Sequence, residues 1–210
     1  MAITYPLTLP TVSGIRSITL RTINSIGVSR SPFTYKEQVF DYGGQSWEAD
    51  ISLPPMDRAE AEEWVSFIVK LKGQSGTFLL GDPSGATPRG SASSAPGTPV
   101  VNGASQLGGE LSIGGLPTST TGYLLAGDYI QLGNGSGSRL HKVLSDVDTD
   151  GSGNATLDIY PDIRVSPADA SSVVVSNAKG VFRLSANEIS WSINEITIFG
   201  VTFGAREAIA

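Results

Sequence analysis

One stretch of this 210-residue chain, Asp57 to Gly73, carries the full marks of a helix. Most of the rest is cut into short runs by 25 Gly and 12 Pro, residues that favour turns over helix interiors. The expected fold class is therefore mainly β with one packed α-helix. Asp57 is a natural N-cap, and Glu60 three residues on completes a capping-box pattern. Glu60, Glu62 and Glu63 crowd the first turns and Lys70 and Lys72 the last, which complements the helix dipole. Ala61, Trp64, Ile68 and Leu71 recur at helical spacing and predict an apolar stripe lying on a sheet. Gly73 is placed to take the left-handed position after the last turn.

Strand signals flank the helix. Ile18, Leu20 and Thr22 alternate with Thr19 and Arg21. Phe33–Tyr42 and Ser46–Leu53 are separated by Gly43-Gly44, which predicts a hairpin turning at the glycines. Thr77–Leu80 reads as a short buried strand stopped at Gly81-Asp82-Pro83. At the other end, Val181–Leu184 and the Ile189/Trp191/Ile193 alternation read as strands. An Asn194-Glu195 turn leads into an apolar strand from Ile196 to Phe203, with a bulge expected at Gly200. Between these ends, residues 83 to about 127 hold only Arg89 and Glu110 as charged residues. Further on, Tyr123–Leu132, Leu140–Val147, Ala155–Tyr160 and Ser172–Val175 predict short strands of a small barrel or sandwich. The expected organisation is a discontinuous domain, 1–82 with 180–210, carrying a small β-barrel inserted as 83–179.

The composition removes most chemistries. No cysteine means no disulfide, thiolate zinc site, iron–sulfur cluster or cysteine nucleophile. A single histidine, His141, rules out two-histidine metal sites. It sits in a strand-like run, and an exposed structural role is expected, because no G-x-S-x-G elbow accompanies it. Fourteen basic and 20 acidic residues give a net charge of −6, unsuited to gripping nucleic acid. No signal peptide and no membrane span are expected from the opening residues and the hydropathy. The sequons at Asn134 and Asn154 carry no weight without a secretory context. The nearest thing to a metal site is Asp146-x-Asp148-x-Asp150-Gly151, half of a calcium loop. Leu157 stands where the bidentate Glu belongs and the flanks read as strands, so a turn is the preferred reading. No catalytic residue, cofactor site or firm metal site is expected. Phe33, Tyr35, Phe40 and Tyr42 are expected to be cross-strand packing pairs, with a ligand groove as the other reading.

Tyr35 to Pro83 combines an aromatic hairpin, the Leu53-Pro-Pro-Met56 corner, the Trp64 helix and the Gly73-x-x-Gly-Thr-Phe-Leu-Leu-Gly-Asp-Pro83 exit. Together with Gly180–Leu184 and the run from Trp191 to Phe203, this resembles the distal tail proteins of long-tailed bacteriophages. The resemblance implies a tail-tube-like β-sandwich with one helix and a small, OB-like inserted domain. It implies a virion protein of the tail tip, made in the bacterial cytoplasm. A homohexameric ring would join the tail tube protein to the hub and other tail-tip proteins, with DNA passing through the lumen unbound. It implies no catalysis. Another minor tail or hub protein is one alternative. A carbohydrate-binding module using Tyr123, Tyr129 or Tyr160 of the insert is another.

Overall fold

The computed structural model describes residues 3–12, 14–193 and 199–209. In chain order the first elements are β1 (Ser17–Arg30), β2 (Glu37–Ser52), α1 (Arg58–Leu71) and β3 (Phe78–Leu80). The middle of the chain supplies β4 (Val100–Val101), β5 (Gly108–Gly114), β6 (Tyr129–Leu132), β7 (Arg139–Val143), β8 (Ala155–Ile163) and β9 (Val173–Val174). The last strands are β10 (Gly180–Leu184), β11 (Trp191–Ile193) and β12 (Phe199–Glu207). The protein is mainly β, with two antiparallel sheets. One sheet runs β1-β2-β12-β10-β3, with β11 paired to β12, and so joins both ends of the chain. The other runs β4-β5-β8-β7-β6-β9 and comes wholly from the middle segment. Its two outer strands meet: Val101 N donates to Ser171 O (2.8 Å) and Val173 N to Pro99 O (2.9 Å), which brings this sheet close to a barrel.

The helix forms as its sequence dictates. Asp57 Oδ1 accepts from Glu60 N at 3.0 Å, satisfying one of the free donors of the first turn. Ala61, Trp64, Ile68 and Leu71 are all buried, joined by Val65 and Phe67. The helix packs on the first sheet through its rings, Phe67 edge-to-face on Phe78 (5.5 Å) and Trp64 tilted against Phe203 (6.3 Å). Two residues, not one, make the left-handed exit: Lys72 (φ 51°) takes the C-cap before Gly73 (φ 67°). A second core fills the middle segment, around Leu111, Ile113, Tyr123, Ile130, Leu157 and Ile159.

The hairpin differs from its expected form. β2 runs unbroken through Gly43-Gly44, and the chain reverses ten residues earlier, where Ser31 N donates to Lys36 O (2.9 Å). The glycines form a bulge instead. Asn24 pairs with Gln45 and Ile26 with Asp41, so Ser25 alone faces Tyr42, Gly43 and Gly44. Gly43 is left-handed (φ 68°), and a Cβ on Gly44 would meet the Ser25 Cβ at 2.9 Å. Both conformations suit a bulge as well as a turn, which is why local chemistry did not separate them.

Smaller differences follow the same logic. Phe33 and Thr34 lie in the turn, not in a strand. Residues 123–128 form a loop ahead of the short β6, tied by the buried Asp128 carboxylate to Arg89 N (2.9 Å) and Leu125 N (2.8 Å). β4 and β5 fall in the Gly/Ser-rich stretch, where alternation is too weak to announce a strand. β12 extends to Glu207, and its pairing with β11 passes through Gly200 without a register shift. The Asn194-Glu195 turn and Ile196 and Ile198 lie outside the described residues.

Candidate functional site

The feature that sets this surface apart is the distal part of the β1–β2 hairpin, hereafter the arm. Beyond the bulge it is, among the described residues, a two-stranded ribbon held by five successive pairs from Ile26↔Asp41 to Arg30↔Glu37. At about 3.4 Å per residue this is ~17 Å of ribbon before the turn. Pairs alternate between faces. Ile26, Val28 and Val39 line one face. Phe40 lies on the other, where Tyr42 covers Gly27 so closely that a Cβ there would sit 3.2 Å from its ring. Both faces are open: Val28 is 62% exposed, Val39 61%, Tyr42 70% and the tip residue Phe33 92%. Arg30 pairs with Glu37 (3.6 Å) and lies over the Tyr35 ring (4.8 Å), which stiffens the tip. The aromatics Phe33, Tyr35, Phe40 and Tyr42 therefore form neither the expected packing pairs nor a groove; they stand in solvent. A lone two-stranded ribbon is marginally stable, and clustered exposed apolar groups mark an interaction site.

The first sheet also leaves an edge. The Leu7 backbone covers β3, with Leu79 N donating to Leu7 O (2.9 Å) and Leu7 N to Thr77 O (2.8 Å). β1, 14 residues long, ends the other side with no strand beyond it among the described residues. An open edge of this length is a template for another chain. It is blunted near the body by Arg21, which pairs with Asp50 (2.6 Å) and Glu48 (3.6 Å).

The aspartates of the half calcium loop are spent on backbone. Asp146 Oδ1 accepts from Ala126 N (2.8 Å) and Asp148 Oδ1 from Gly122 N (2.7 Å). Asp150 Oδ1 accepts from both Ser152 N and Asn154 N at 2.8 Å, and these bonds hold its carboxyl below the usual range. The three carboxylates thus cap separate turns and do not converge on one point. No group of three or more His, Cys, Asp or Glu arranged for a metal occurs among the described residues.

His141 is buried rather than exposed, because β7 packs against the first sheet. Its Nδ1 lies 2.6 Å from Pro161 O, so Nδ1 carries the proton; burial lowers its pKa from 6.5. The three tyrosines of the carbohydrate reading are likewise used for packing. Tyr123 is fully buried and donates to Pro96 O (2.7 Å). Tyr129 and Tyr160 pack on Trp47, with centroids at 6.3 and 5.3 Å. Burial pushes the Tyr123 and Tyr129 phenols up to about 12.

Trp47 belongs to a polar seam between the sheets that the sequence did not announce. Its Nε1 donates to Leu140 O (3.0 Å) and its backbone N to the buried Glu207 carboxylate (3.2 Å). Arg164 from the middle segment pairs with Glu207 at 3.3 Å. A cavity of about 410 Å³ opens beside this pair, with His141, Arg139, Asp162 and Ile209 in its wall. Glu207 continues the inward alternation of Val201, Phe203 and Ala205 along β12, and Arg164 supplies the cation that its buried carboxylate needs.

No known family and no curated protein matches this chain.

Proposed function

We propose that this protein is a ring-forming structural component of a phage tail tip, of the distal-tail kind, whose arm packs on a neighbouring copy of itself. The observation that carries the reading is the arm: it shows apolar side chains on both faces, uncovered by the described residues of its own chain, and is continuous with the open edge of β1. Such a ribbon gains stability when a second subunit covers it. The ring is heterologous, each arm reaching to the next subunit, and closes where the rotation per step divides the circle. The helix-backed first sheet corresponds to a tail-tube-like sandwich, and the near-closed sheet of the middle segment to an OB-like insertion. The net charge of −6 suits a lumen through which DNA slides, since like charge repels it. The role is assembly rather than catalysis, with the tail tube protein and hub as further partners.

The carbohydrate-binding alternative loses support, because Tyr123, Tyr129 and Tyr160 are committed to the cores and the seam. Native mass spectrometry with negative-stain imaging tests the assembly reading. A closed ring with a central channel, hexameric in the favoured form, is expected. A strict monomer at high concentration that also fails to bind tube protein overturns it.

A further inference from the structure

We infer that the middle segment is a strut that aims the arm, a role that rests on the assembly reading above. β8 and the residue after it carry Tyr160, Asp162 and Arg164 at alternate positions. All three reach the hairpin immediately below the bulge. The Tyr160 hydroxyl donates to Ile23 O (3.1 Å), with Ser46 O at 3.5 Å, and these two residues are cross-strand partners. Asp162 N donates to Gln45 Oε1 (2.8 Å). The Arg164 guanidinium donates to Gln45 O. Gln45 pairs with Asn24, the last pair before the register shifts. Both strands are therefore held at the final two pairs of the sheet, where the arm leaves the body.

The hold is itself anchored. Arg164 is fixed by Glu207, which also accepts from Trp47 N, and the Tyr160 ring stands edge-on to the Trp47 indole. The contact thus runs from the barrel-like sheet through the root of the arm into the middle of the first sheet. Past it, the bulge at Gly43 is a point where the ribbon can bend, and no third strand among the described residues limits its twist. A swing of ~10° at the bulge moves a ~17 Å arm by ~3 Å at its tip, enough to lose side-chain packing with a neighbour. Tyr160, Asp162 and Arg164 act as positioning residues: none lies on the exposed arm, and each acts through its root.

The chain has no cysteine, so paired nitroxide labels can be introduced cleanly. Labels at Thr34→Cys on the arm turn and Ser66→Cys on the exposed side of α1 report the direction of the arm. The measurement is double electron–electron resonance on labelled full-length chain, diluted to the monomer. Tyr160→Phe with Gln45→Ala removes two of the three holds and keeps the ring on Trp47. The expected result is a shift or broadening of the distance distribution by ~3 Å or more, the tip displacement of a ~10° swing. Ser145→Ala, which loses only a bond to Asp158 within the middle segment, leaves the distribution unchanged. Identical distributions for the double variant and the parent overturn the strut. Should the double variant unfold, Tyr160→Phe alone gives the same readout. Because the distances are read on monomer, a loosened arm in a chain that never forms rings upholds the strut while removing the assembly reading.

Discussion

Replacing Phe33 and Phe40 by serine separates the stability of the subunit from that of the assembly. In the isolated chain the two rings are 92% and 49% exposed, so little burial is lost. Exposed substitutions cost within about 0.5 kcal/mol each, and the pair should shift unfolding by about 1 kcal/mol at most. In a ring where a neighbour covers the arm, Phe33 contributes about 1.5–3 kcal/mol of burial and the half-exposed Phe40 about half that. Losing both weakens each interface by about 2–4.5 kcal/mol, a ~30- to 2,000-fold change in association. Urea unfolding gives the first quantity and sedimentation velocity across a concentration series gives the second. The expected outcome is a normally folded monomer at concentrations where the parent is oligomeric. The reasoning fails if Phe33→Ser/Phe40→Ser assembles as the parent does. It fails equally if the variant loses several kcal/mol of monomer stability, since the rings would then be part of the core.

Trp64→Ala should cost about 3–5 kcal/mol in urea unfolding, because the indole is 1% exposed between α1 and the first sheet; a loss under ~1 kcal/mol would remove it from the core. Arg164→Met leaves the Glu207 carboxylate, whose side chain is 2% exposed, without its cation. The expected cost is about 2–4 kcal/mol, held down by the partial exposure of Arg164, and Arg164→Met/Glu207→Gln should recover part of it. No recovery in that double-mutant cycle would show that the pair is not coupled. His141 gives a pH signature. Burial depresses its folded pKa below 6.5, with Arg164 and Arg139 lowering it further and Glu207 and the Pro161 carbonyl opposing. The unfolded chain therefore binds the proton more readily, so stability falls as pH drops from 6.5 towards the folded pKa. His141→Phe should flatten that slope in unfolding curves at successive pH values; an unchanged slope would assign it to other groups.

The helix was the most legible element, because its capping, charge order and apolar stripe agree at every level and all act within one segment. The hairpin shows the opposite case. Gly43-Gly44 satisfies the backbone needs of a turn and of a bulge, and the choice rests on where β1 ends. That end is hidden because the arm strands have no buried face to impose alternation: Ile23, Ile26, Val28 and Val39 are all exposed. His141 differs from its exposed expectation for a related reason. Its burial comes from the first sheet docking over β7, a tertiary event with no local trace. In the half calcium loop only Asp150 caps its own turn; Asp146 and Asp148 reach the 122–126 loop, a pairing that spacing along the chain does not encode. The arm's aromatics were noticed, but their meaning needed the geometry that leaves them uncovered.

The middle segment leaves and rejoins the first sheet at adjacent points, so the sheet can be closed without it. β3 and β10 are neighbouring strands, and Leu80 pairs with Gly180. The two connections then touch: a Cβ on Gly81 would sit 2.2 Å from Ala178 O, so only glycine fits. Residues 82–178 are in effect a cassette clipped across a gap no wider than one strand spacing, about 5 Å. Doubling the length of the segment between these ends adds only about 0.6 kcal/mol of loop-closure cost. What a substitute must reproduce is specific: a cover for Trp47 in place of Tyr129, Leu140 and Tyr160, a cation for Glu207, and the bonds to Ile23, Gln45 and Ser46 at the root of the arm. A different segment that restored those contacts would leave the sheet beneath it unchanged.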